Sequence, residues 1–196
     1  IVSFALSVYC SNSIRLKFPS VPLIDVVLFL IYNRKIDIFQ RMSNKDKIIV
    51  ALDFESCDKA LALVESLDGY ANFFKIGLGL IGRGGLELAC ELKKRGLHVF
   101  LDLKLFDISN TIKNAVSGLC EAKFDFLTVQ GDPQVIKAAV EGRGTNITKI
   151  LAVTFLTSLN RKDLDQNLII PGEIQTLVCS RAEKAILAGA DGIIAS

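Results

Sequence analysis

A chain of 196 residues that is 51% hydrophobic and 22% charged has the make-up of one compact domain, which excludes a disordered or fibrous polypeptide. Lys plus Arg (23) nearly balances Asp plus Glu (21), so the net charge of +2 offers no footprint for nucleic acid or an anionic membrane. Five scattered cysteines with no C-x-x-C pair argue against a disulfide framework or a zinc site and fit a reducing, cytoplasmic setting.

The first 41 residues stand apart. The only methionine, Met42, directly precedes "SNKDKIIVALDF", where a regular pattern starts. Residues 1–41 are therefore expected to be an upstream extension outside the fold, and 42–196 the folded unit. The apolar run "VPLIDVVLFLIY" (21–32) carries an Asp and is well short of the ~20 residues a spanning helix needs. No small-residue cleavage signature follows it, so neither an anchor nor a secretory signal is expected.

From Lys47 onward, nearly continuous apolar runs alternate with segments of helical period. The predicted strands are "IIVALDF" (48–54), "FFKIG" (73–77), "HVFLDLK" (98–104), "FDFLTVQ" (124–130), "KILAVTFLTS" (149–158) and "GIIAS" (192–196). Continuous apolarity marks parallel strands covered on both faces. The predicted helices between them are "SCDKALALVESL", "GLELACELKKRG", "NTIKNAVSGLCEAK", "PQVIKAAVEG" and "EIQTLVCSRAEKAILAG". In the first, Ala60, Leu63, Val64 and Leu67 form one stripe, with Ser56 placed to cap it. Gly96 and Gly189 are expected C-terminal stops. His98, the sole histidine, sits at the mouth of a strand and is expected to be structural.

Repeated strand–helix units predict an α/β fold with a parallel sheet and right-handed crossovers. The competing architectures are an open doubly wound sheet and a (β/α)8 TIM barrel. A barrel needs on the order of 200–250 residues. Residues 47–196 supply about five βα units and a sixth strand, so a barrel built from them would be incomplete.

The polar exceptions cluster at strand C-termini: Asp53, Lys75, Asp102 with Lys104, Gln130, and Thr157 with Ser158. Parallel α/β proteins build their sites at that end. Asp102 and Lys104 are two apart on a strand and so share a face, where buried charges would need each other. If Lys75, Asp102, Lys104 and Asp107 converge, alternating charges can stabilise a developing anion and offer an ammonium as proton donor. A salt-bridge network that merely closes the top of the sheet is the bland alternative. A second motif, "GLGLIG" (77–82), matches G-x-G-x-x-G after a strand, with Asp102 at dinucleotide-binding spacing. An NAD-binding reading leaves Lys104 and Asp107 unexplained, and Lys75 stands where pyrophosphate needs bare backbone.

"VALDF", "FFKIG", "FLDLKLFDISNT" and "AVTFLTS" together resemble the orotidine 5'-phosphate decarboxylase family over residues 46–196. The D-x-K-x-x-D core alone is shared with magnesium-dependent sugar-phosphate decarboxylases and aldolases, which usually carry an acid at the position of Lys75. The resemblance implies a TIM barrel that converts orotidine 5'-phosphate to UMP and CO2 without cofactor or metal. It also implies a homodimer that shares its active sites. Lys75, Asp102, Lys104 and Asp107 would be the alternating catalytic array, with Lys104 the proton donor to C6 of the pyrimidine. Asp107 and Thr111 would reach across the dimer interface. Asp53 and Lys75 resemble ribose-hydroxyl ligands, Thr157 and Ser158 are candidates for the pyrimidine amide edge, and "SLNRKDLDQNLIIPG" (158–172) is a candidate closing loop.

Three departures stand out. Ser109 replaces a common Pro, Gln130 replaces a common His, and the phosphate-gripping loops after the seventh and eighth strands have no counterpart before Ser196. An inactive remnant lacking the phosphate anchor is the rival expectation.

Overall fold

The computed structural model describes residues 14–16, 24–27, 48–156 and 171–195. Two short strands come first, β1 (Ile14–Leu16) and β2 (Ile24–Val27). Alternating units follow: β3 (Ile49–Ala51), α1 (Cys57–Ser66), β4 (Phe73–Gly77), α2 (Leu78–Ile81), α3 (Gly85–Lys94), β5 (His98–Leu105) and α4 (Ser109–Cys120). The series ends with β6 (Phe126–Gln130), α5 (Pro133–Arg143), β7 (Lys149–Val153), α6 (Ile174–Leu187) and β8 (Gly192–Ile194).

All eight strands form one sheet in chain order. From β3 to β8 every neighbouring pair is parallel. These six strands curl into part of a (β/α)8 barrel, which is incomplete among the described residues. The predicted strands and helices appear in the predicted order, with one addition, the four-residue α2. The segment read as an upstream extension contributes β1 and β2, which pair antiparallel on the outer edge of β3 through Val26 opposite Val50 and Val27 opposite Ile49. The parallel strand–helix units begin only at β3.

Side-chain alternation divides the core in two. Val50, Phe74, Ile76, Leu101, Leu127 and Ile150 pack against the helices. Ile49, Phe73, Phe100, Phe126 and Leu151 point to the concave face and form a separate cluster. Within it, Phe73 stacks on Phe126 with ring centroids 5.2 Å apart, and Phe100 meets Phe126 edge-on at 5.8 Å. Two residues further along the same faces lie Lys75, Asp102 and Thr128. An aromatic floor thus lies directly beneath the polar positions.

Local signals set the helix ends. The Ser56 hydroxyl accepts the Lys59 N–H, as expected, and Asp132 caps α5 by accepting the Gln134 N–H at 2.9 Å with Pro133 next in line. Gly96 and Gly189 end helices with φ of +82° and +104°. Helices α4 and α5 approach so closely at Gly142 that a Cβ there would lie 2.3 Å from the Lys113 carbonyl oxygen. Gly142→Ala should therefore destabilise the chain by about 1–3 kcal/mol, read as a lowered melting temperature.

At the opposite end of the sheet from the polar positions, one device occurs twice. Asp125, just before β6, accepts the Val99 N–H and the Lys93 ammonium, each at 2.8 Å, and pairs with His98 Nδ1 at 2.7 Å. Asp191, just before β8, accepts the Ile150 N–H at 2.9 Å and bonds Arg143. Each carboxylate ties its own strand to the preceding strand and to the helix before that strand. His98 is structural, as expected.

Burial raises the Asp125 pKa, but hydrogen bonds from Lys93, His98 and Val99 outweigh it and hold the carboxyl below its usual value of 3.8. A depressed folded-state pKa means the unfolded chain binds more protons, so this stabilisation is present above about pH 4 and lost as pH falls through the folded value. Asp125→Asn should cost about 2 kcal/mol at pH 7. In urea denaturation the gap to wild type should shrink on acidification below about pH 4; a gap independent of pH would contradict the assignment.

Candidate active site

Three charged side chains meet above the aromatic floor. Asp102 Oδ2 is 2.8 Å from Lys104 Nζ and 3.2 Å from Lys75 Nζ. Asp53, following β3, lies on the outer side of Lys75, with Oδ2 3.9 Å from Nζ. The side chains of Lys75 and Asp102 are each 13% exposed, that of Lys104 is 36% and that of Asp53 is 67%. The cluster therefore grades from a buried pair to a reachable ammonium. Lys75, Asp102 and Lys104 converge as the sequence predicts.

The route by which Lys104 arrives differs from simple alternation. Strand β5 advances from Leu101 to Leu105 while its partner β6 advances only from Leu127 to Val129, a bulge in β5. Within it Lys104 adopts φ +50°, the left-handed region that residues with a Cβ rarely enter. Its N–H is accepted by the Thr128 hydroxyl at 2.9 Å, and the same hydroxyl donates to Asp102 Oδ1 at 3.0 Å. Thr128 is fully buried. Sequence reasoning missed it. Its only signal is a polar residue at an inward position in the middle of "FDFLTVQ", on the same face as Phe126 and Gln130.

Asp107 and Thr111 stand apart from this cluster. Both are exposed, in the exposed stretch 106–111, and Asp107 Oδ1 accepts the Ile108 N–H at 2.7 Å. Gln130 ends β6 at the same rim. Thr157, Ser158 and most of the candidate loop 158–172 lie outside the described residues.

"GLGLIG" folds as the end of β4 and the short helix α2, and the longer helix α3 opens at Gly85. A helix opens within the glycines, but it runs only four residues. A Cβ on Gly77 would lie 3.3 Å from the Asp53 carboxylate. An acid at that turn repels the pyrophosphate a dinucleotide would bring.

Burial raises the Asp102 pKa, but the Lys104 hydrogen bond, the charges of Lys75 and Lys104, and the Thr128 hydroxyl outweigh it and leave the carboxyl below its usual value of 3.8. Asp102 is therefore an anion at neutral pH. Two ammonium groups around it give the inner cluster an excess of positive charge. Such a cluster can stabilise an anion developing beside it, and the part-exposed Lys104 can deliver a proton to that anion.

Comparison with known proteins identifies the family. The family model described as "Orotidine 5'-phosphate decarboxylase / HUMPS family" matches residues 46–196. The orotidine 5'-phosphate decarboxylase of Ruegeria pomeroyi is 56% identical over 152 residues, covering 77% of this chain and 63% of the relative. That of Jannaschia sp. is 55% identical, covering 77% of this chain and 66% of the relative. The chain thus spans 63% and 66% of the length of these relatives. A crystal structure of orotidine 5'-phosphate decarboxylase from Lactobacillus acidophilus superposes with a TM-score of 0.67 at 33% identity, covering 76% of this chain and 70% of that one. An uncharacterized conserved protein from Geobacillus kaustophilus gives a TM-score of 0.69 at 34% identity, covering 74% and 71%. With its Lys–Asp–Lys cluster at the carboxyl ends of parallel strands, the chain belongs to the orotidine 5'-phosphate decarboxylase / HUMPS family.

Proposed function

We propose that residues 42–196 carry the catalytic charge array of a carboxy-lyase that converts orotidine 5'-phosphate to UMP and CO2, in the last step of UMP synthesis. The observation that carries the reading is the Asp102 carboxylate held between Lys75 and Lys104, at 3.2 and 2.8 Å. The bond from C6 to the carboxylate breaks, CO2 leaves, and the electron pair stays on C6. A proton from Lys104 Nζ then completes UMP, and the lysine regains its proton from water. The ring delocalises a C6 carbanion poorly, so fixed positive charge must be supplied where it develops, each such donor being worth about 3–4 kcal/mol. Asp102 is assigned a place near the substrate carboxylate. Asp53 and Lys75 are assigned to the ribose hydroxyls, and Thr157 and Ser158 to the pyrimidine amide edge.

The working unit is a homodimer in which Asp107 and Thr111 complete the neighbouring site. Their exposure supports this, as do Phe106 and Ile108 beside them, 69% and 73% exposed, an apolar edge that a second copy would cover. The enzyme is assigned to the cytoplasm. No helix among the described residues is long and apolar enough to cross a membrane.

The test is incubation of the purified chain with orotidine 5'-phosphate, following the loss of orotate absorbance and the release of CO2 with and without magnesium. Turnover independent of magnesium, together with a melting temperature raised by UMP, is the expected result. Absence of turnover, or turnover that requires magnesium, would overturn the reading.

A further inference from the structure

We propose that Thr128 is a positioning residue of this site, its single hydroxyl fixing Lys104 and Asp102 relative to each other; the proposal rests on the decarboxylase reading. The hydroxyl has one proton to give and lone pairs to accept, and both capacities are used. It donates to Asp102 Oδ1 at 3.0 Å and accepts the Lys104 N–H at 2.9 Å. The two oxygens of Asp102 thereby have different duties. Oδ1 is held by Thr128, while Oδ2 faces Lys75 and Lys104. Rotation of the carboxylate would exchange those duties, and the hydroxyl opposes it.

The second bond matters because of the backbone. Lys104 sits in the bulge between Leu101 and Leu105 at φ +50°, where the regular ladder to β6 is interrupted. A left-handed residue with a long side chain persists only where its surroundings hold it. Here the holding group is the Thr128 hydroxyl, itself fully buried on a strand whose register with β7 is regular through Thr128 opposite Leu151. A strand in regular register therefore sets the aim of the reactive ammonium through the Thr128 hydroxyl. The geometry of an attacking or donating group governs rate steeply.

A purely structural role predicts something else. Valine has nearly the same shape as threonine and suits a buried strand at least as well, so Thr128→Val would then be harmless. The test measures kcat and KM for orotidine 5'-phosphate, the melting temperature, and hydrogen exchange of the Lys104 amide by NMR, for Thr128→Val and Thr128→Ser. The expected result for Thr128→Val is a folded chain whose kcat falls about 10²-fold. Its KM should stay within about 3-fold, because the Thr128 hydroxyl is taken up by Asp102 and Lys104 and its role is to aim the ammonium. Its Lys104 amide should exchange at least about 10-fold faster, having lost its acceptor. Thr128→Ser, which keeps the hydroxyl, should restore both kcat and slow exchange to within about 3-fold. Wild-type kcat with unchanged exchange in Thr128→Val, or failure of serine to restore either, would overturn the role. Should valine overpack and unfold the chain, Thr128→Ala takes its place with the same expectations. If the parent chain itself does not decarboxylate orotidine 5'-phosphate, the proposed function fails. The exchange measurement on the same variants still decides the clasp: faster exchange restored by serine supports it, and unchanged exchange overturns it.

Discussion

Replacing Lys104 by alanine should lower kcat for decarboxylation by about 10⁴-fold while the chain stays folded. Its ammonium is anchored to Asp102 at 2.8 Å yet is 36% exposed, the most accessible of the three central groups. That combination suits a group that must be aimed and must also reach a substrate. The fold should survive because Asp102 keeps Lys75 at 3.2 Å and the Thr128 hydroxyl at 3.0 Å. Nor should arginine rescue the loss, since a guanidinium is both a poor proton donor and the wrong shape for a site built around a point charge. Steady-state kinetics alongside a thermal melt checks both halves. Retained turnover would remove Lys104 from the mechanism, and an unfolded variant would make it a structural residue instead.

Asp102→Ala should be the most destabilising change in the site. Asp102 is the shared partner of two cations, and removing it leaves Lys75, only 13% exposed, beside Lys104 with no carboxylate between them. Breaking one side of a buried ion pair in this way costs about 3 kcal/mol or more. Turnover should be lost with it. The stabilisation depends on Asp102 being ionised. Its folded-state pKa lies below 3.8, so the contribution holds above about pH 4 and is lost as pH falls through the folded value. Urea denaturation of wild type and variant at neutral and acidic pH should show a large gap that narrows in acid. Asp102→Ala combined with Lys75→Met should recover part of the loss, because no buried ammonium is then stranded. A stable Asp102→Ala chain would mean that the cations find other partners and that the cluster is not closed around this carboxylate.

Strand order and helix positions were legible because strands covered on both faces must be apolar almost without interruption, and β4 begins and ends where "FFKIG" does. The charged cluster of Lys75, Asp102 and Lys104 was legible for the same reason: a charge in a core strand needs a partner or a purpose. The bulge was not legible. A lysine at positive φ has no residue signature, so "LDLKL" reads as plain alternation while the structure delivers Lys104 by a register shift. Thr128 escaped notice because β-branched threonine is at home in any strand, and only its inward face and its two partners single it out. "KILAVTFLTS" reads as one long strand, yet β7 stops at Val153, where Thr154 turns its hydroxyl to the Ile194 carbonyl at 3.1 Å. Asp125 and Asp191 look like ordinary polar residues before strands, and their role as ties between neighbouring units exists only in three dimensions. Asp107 shows the remaining limit. A place in an alternating array would need the proposed second copy; within one chain Asp107 accepts the Ile108 N–H at the rim.

The most direct measurement is a crystal structure of the chain with UMP bound. The nucleotide should lie over the aromatic floor of Phe73, Phe100 and Phe126, with pyrimidine C6 against the ammonium of Lys104 and the ribose hydroxyls toward Asp53 and Lys75. UMP bound elsewhere, or a Lys104 side chain turned away from Asp102 into solvent when the pocket is filled, would contradict it.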